Sequence, residues 1–140
     1  MLVFPRETTD TEFKHVFTVF MRLVARGFWE EAEAFLIGGE ETLREMEPVW
    51  RGMFDVHDVM FIPDDYADQI GVHRDLSPWD RETNPDREGY ISLPMLFASE
   101  RITGLTFEIV LLEHKGDLVA EFLGVSGEAK QPPPRMIYPN

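Results

Sequence analysis

Between Asp55 and Asp80 the chain gathers the side chains best suited to acid–base or metal chemistry. His57 lies beside Asp55 and Asp58, then come Asp64, Asp65 and Asp68, then His73 with Asp75. An imidazole titrates near neutrality and a neighbouring carboxylate fixes its tautomer, so a His–Asp pair can move a proton or hold a metal. A catalytic reading would therefore use His57, Asp58, His73 and Asp75. The spacing fits neither an EF-hand loop nor an H-E-x-x-H helix. On a strand, His57 and Asp58 would also point to opposite faces. Solvated loop charge is the plainer expectation, with no metal and no cofactor.

Two smaller motifs carry less. Gly124-Val125-Ser126-Gly127 stops one residue short of a G-x-S-x-G elbow and has no helix behind it, so Ser126 reads as a strand-end turn. Gly38-Gly39 could cradle an anion at the next helix start, but Glu40 and Glu41 stand there and would repel it. Without cysteine there is no disulfide, no Cys-ligated metal and no thiol nucleophile.

Charge is the stronger lead. In 140 residues, 13 Lys and Arg face 26 Asp and Glu, a formal charge of −13. That excess argues against nucleic-acid phosphate and anionic membrane as partners and favours a basic protein. It is also concentrated. Glu30 to Glu47 holds seven Glu and one Arg, and Asp55 to Glu88 holds ten carboxylates and three Arg. Such surfaces steer a partner of opposite sign. The candidate contact residues are Glu30, Glu31, Glu33, Asp64, Asp65, Asp68, Trp79 and Asp80. Trp79 qualifies because exposed aromatics anchor interfaces, although it could instead fold back over the core.

These residues must be positioned by a front half that reads as helical. Thr9 and Glu12 have capping-box spacing. Phe13, Val16, Phe17, Phe20, Met21 and Val24 then form one apolar stripe, and Gly27 ends the helix. A second helix is expected over 28–37 and a third from Glu40 to about Glu47, where Pro48 breaks it or opens a further turn through Val49, Trp50 and Met53.

The back half reads as strands. Val56 to Ile62 is the first. Ile91, Leu93, Met95 and Phe97 alternate with Tyr90, Ser92 and Pro94 in the second, where Pro94 demands an edge or a bulge. Leu105 to Glu113 and Leu118 to Val125 form a hairpin through Lys115-Gly116-Asp117. Between them 63–89 is a long connection. Asp64 to Ile70 could make a short helix capped by Asp64 or Asp65, and 77–89 an exposed loop. The expected organisation is one α+β domain over 1–126, three N-terminal helices on a curved, mostly antiparallel sheet of about four strands, followed by an extended Pro-rich tail over 127–140. The N-terminus lacks the charged start and apolar core of a signal peptide, and no apolar run could span a membrane, which points to a cytoplasmic protein.

The long amphipathic helix, then Arg26-Gly27-Phe28-Trp29-Glu30-Glu31-Ala32, then strands closing in a hairpin, resembles the NTF2-like proteins over roughly 11–125. The run from Tyr90 to Phe97 with Gly104 to Glu108 also resembles a group of small bacterial α+β proteins. The NTF2-like likeness implies a curved sheet and a conical pocket, where His57 and His73 would be the polar candidates. In composition the chain also resembles bacterial immunity proteins, which bind a basic toxin. The expected function is a non-enzymatic, immunity-type inhibitor using its acidic face. The alternatives are an NTF2-like small-molecule enzyme or ligand binder using His57 and His73 with nearby Asp, and a structural subunit of a homo-oligomer.

Overall fold

A computed structural model of the chain describes residues 1–38, 42–98 and 103–130. Helix α1 spans Asp10–Ala25. Its start is the expected capping box with one change of partner. The Glu12 N–H donates to Thr9 Oγ1 at 3.1 Å, while the Glu12 carboxylate accepts from the Thr9 hydroxyl at 3.0 Å rather than from a backbone N–H. Its end is a Schellman motif. Gly27, at φ 73°, donates to Val24 and Phe28 donates to Leu23.

The next two helices depart from expectation. Helix α2 is only Trp29–Glu33. The chain leaves it early because Ile37 turns out to pair with β4, donating its N–H to the Ala120 carbonyl at 2.8 Å. Helix α3, Thr42–Met53, runs straight through Pro48. Proline costs this helix the N–H that would bond Arg44. Leu43 and Trp50, one either side of it, are buried and hold the helix down, Trp50 packing 6.5 Å from the Phe97 ring. Residues 39–41, with Glu40, Glu41 and half of the Gly38-Gly39 pair, lie outside the described residues.

Val56 to Ile62 is no strand. Among the described residues its β pairing is one isolated bridge, Met60 to Phe97. Its burial does alternate as a strand's would, Val56, Asp58, Met60 and Ile62 lying deeper than His57, Val59 and Phe61; what it lacks is a ladder beyond that bridge. The long connection instead contains helix α4, Tyr66–Gln69, strand β1, Gly71–His73, and helix α5, Pro78–Thr83. Asp65 stands at the α4 N-cap without a capping bond, and Asp64 makes none either.

Strands β2 (Arg87–Pro94), β3 (Thr103–His114) and β4 (Asp117–Lys130) complete an antiparallel sheet of order β1-β2-β3-β4. The class is α+β as expected. The β3–β4 turn places Lys115 and Gly116 at φ 53° and 88°, the left-handed pair of a type I′ hairpin. Ser126 is not at a turn but inside β4, opposite Thr106, and β4 takes in residues 127–130. Residues 131–140 lie outside the described part.

One face of the sheet carries Ile91, Leu93, Leu105, Phe107, Ile109 and Leu111, all buried against the helices. A bulge at Leu123 restarts the alternation, so that Phe122 and Val125 both join that face.

Pro94 obeys its constraint in an indirect way. Met95 donates to Leu105 of β3, so the Pro94 nitrogen and carbonyl face the other side, beyond the point where β1 ends opposite Ser92. Its orphaned carbonyl accepts from the Tyr66 hydroxyl at 2.6 Å. The Tyr66 ring is fully buried, and burial pushes its hydroxyl well above the usual tyrosine range. Replacing Tyr66 with Phe leaves that carbonyl without its donor. We expect a loss of about 1–3 kcal/mol in urea unfolding, and a loss below roughly 0.3 kcal/mol would show that the bond contributes nothing.

Candidate functional site

The His and Asp residues of the catalytic reading do not converge. His57 follows the left-handed turn at Asp55 (φ 54°), and its Nε2 meets Asp55 Oδ1 at 2.8 Å with both side chains largely in solvent, 84% and 77% exposed. It lies on an open groove of about 580 Å³ at the C-terminal end of α1, lined also by Arg26, Trp29, Arg51 and Met60. Asp58 is in the same segment, its carbonyl accepting from Arg51 Nη1 at 2.9 Å. His73 sits instead on β1, exposed on the outer face of the sheet, with Asp75 exposed just beyond the strand. Among the described residues no three His, Asp or Glu side chains are placed to hold a metal ion.

The acidic residues sort into two kinds. Glu30, Glu31, Asp64, Asp65 and Asp68 are exposed, and among the described residues none has an ion-pair or side-chain hydrogen-bond partner. Glu30 and Glu31 ride on α2 and Asp68 on α4, and both helices pack on α1. Glu33 and Asp80 have structural duties instead. The Glu33 carboxylate accepts from the Leu43 N–H at 2.8 Å and so caps the start of α3.

Asp80 fastens α5, where an exposed loop was expected. Ser77 caps this helix through the Asp80 N–H at 3.1 Å, and Pro78 occupies its first turn. The Ser-Pro pair was the legible signal, masked by the turn-rich residues around it. Tyr90 on β2 donates to Asp80 Oδ2 at 2.5 Å, Asn84 donates to Oδ1 at 2.9 Å, and Arg87 donates to the Tyr90 oxygen at 3.1 Å. Trp79 does not fold back. It stands 70% exposed on a helix that is pinned to the sheet.

Sequence reasoning missed one site altogether. On the outer face of the sheet Glu108 accepts from Ser92 at 3.0 Å and from Ser126 at 3.1 Å, a carboxylate held by hydroxyls from the strands on either side. No sequence motif marks it, because the three residues meet only through strand register.

The Tyr90 bond is the main cause that holds the Asp80 carboxyl below the usual aspartate range, with the Asn84 bond next. Burial foremost, then the bond to Asp80, raises the Tyr90 hydroxyl. A carboxylate depressed in the folded state adds stability that is present above its unfolded pKa and lost as pH falls through its folded pKa. Carboxyl NMR titration should therefore find the Asp80 midpoint low in the native protein and raised in Tyr90→Phe, with the stability difference between the two closing in acid. An unchanged midpoint would contradict the arrangement. No family model, curated protein or solved structure matches the chain.

Proposed function

We propose that the chain is a non-enzymatic protein-binding module that docks a basic protein, in the manner of an immunity-type inhibitor covering a toxin or effector. The observation that carries this reading is the set of exposed, unpartnered carboxylates at Glu30, Glu31, Asp64, Asp65 and Asp68, within a chain of net charge −13. Like charges left together repel one another and destabilise the compact state; a cationic partner relieves that repulsion and is drawn in by the field. Trp79 supports the same reading, since it stands exposed on a helix tied to the sheet through Asp80 and Tyr90, and exposed aromatics anchor interfaces.

The test uses the full chain as bait in extract from its host, at low ionic strength and again at about 1 M salt, where charges are screened beyond roughly 3 Å. A basic protein should be retained only at low salt. Lysine at all five positions should slow its association by about tenfold or more. Retention of no protein, or the same rate for the reversed variant, would remove the reading.

A further inference from the structure

The outer face of the sheet contains a trough. Register joins Gly71 to Ser92, Ser92 to Glu108 and Glu108 to Gly124, one residue from each strand at one level. Three of these four positions offer a hydroxymethyl group or no side chain. The flanking levels lie about 7 Å away along the strands and are bulkier, with Tyr90 and Val110 on one side and Pro94 and Thr106 on the other. The His73 ring closes the β1 end by lying over Gly71, while at the β4 end no described residue stands within 4 Å of where a Gly124 side chain would begin.

Among the described residues Glu108 is the only charge on the floor of this trough. Ser92 donates to its Oε2 and Ser126 to its Oε1, which fixes the carboxylate plane and leaves each oxygen able to accept again. No described cation pairs with it. Among the described residues the other ionisable groups on this side are Glu121, Asp117, His114, Asp80, His73 and Arg87, and the Arg87 guanidinium is already engaged with Tyr90. Among the described residues the balance on this side is acidic around an oriented carboxylate with no cation paired to it.

We infer that this trough receives an arginine side chain of the basic partner, its guanidinium forked onto Glu108. The inference rests on the basic-partner reading and adds the place of its anchor. A planar carboxylate held by two hydroxyls suits the bidentate fork of arginine, whereas lysine offers it only a point charge. The acids of α2 and α4 then serve approach rather than contact.

The experiment titrates the isotopically labelled full chain with a peptide of alternating arginine and glycine, and with its lysine counterpart, following amide shifts. Shifts should concentrate at Ser92, Glu108 and Gly124, and the arginine peptide should bind several-fold more tightly. Glu108→Gln should weaken it by about tenfold, the size of one charge-assisted hydrogen bond. Ser92→Ala, which keeps the charge but frees the carboxylate plane, should erase the preference for arginine and decides the matter if Glu108→Gln does not fold. Shifts confined to α2 and α4, with Glu108→Gln binding as the native chain does, would overturn the trough and leave the basic-partner reading standing. Equal affinity for both peptides, or no shift in the native chain, would overturn the inference as well.

Discussion

Phe20 stands at the centre of the core, its ring 5.6 Å from Phe17 on the same helix and 5.8 Å from Phe107 on β3. Phe13 and Phe17 extend the contact to Phe4, whose backbone pairs with Leu118 at the edge of β4. This apolar stripe of α1, lying on one face of the sheet, is the constraint from which the rest follows. Each such side chain contributes roughly 1.5–3 kcal/mol when fully buried, so a few of them match the whole stability of an ordinary domain. Because that face of the sheet is committed to α1, the polar pairings fall on the opposite face, which also carries Val110 and Val119, and the register that aligns Phe107 with Val125 also aligns Glu108 with Gly124.

A second constraint acts at the free end of β2. Pro94 cannot donate, β1 is too short to reach it, and Tyr66 enters from α4 to satisfy its carbonyl. Arg74, just past β1, ties the other end of the same region to α1. Its guanidinium lies 4.9 Å over the Phe13 ring and donates to the Thr8 carbonyl at 2.6 Å. Asp64, Asp65 and Asp68 are thus exposed between the Met60–Phe97 bridge and Arg74, with Tyr66 fastened among them, which keeps a charged surface in place without burying its charge.

What could be read from the residues followed from period and from caps. The α1 stripe, Thr9 and Gly27 set one helix, and Lys115-Gly116 set the hairpin, because both depend on local geometry. Of the two outcomes open at Pro48, the further turn through Val49, Trp50 and Met53 is the one that forms, since Leu43 and Trp50 hold the helix by tertiary burial. The failures have physical causes of their own. Val56 to Ile62 has a strand's composition and a strand's alternation, yet among the described residues only Met60 finds a bridge partner. β1 is three residues long, too short for any period to show. Of the site, the charge of the acidic blocks was legible and its exposure at Glu30, Glu31, Asp64, Asp65 and Asp68 agrees with it. Glu33 and Asp80 could not be told apart from their solvated neighbours, because their roles depend on Leu43 and Tyr90 from other elements. The Ser92–Glu108–Ser126 arrangement was illegible for the same reason.

The central claim is that the negative charge acts in recognition rather than only in keeping the chain dissolved. The most direct measurement is the association rate with a basic protein captured from host extract, followed across ionic strength in stopped flow. Electrostatic docking predicts a rate that falls steeply as salt rises, with the dissociation rate changing far less. An association rate indifferent to salt would contradict the account, whatever the partner proved to be.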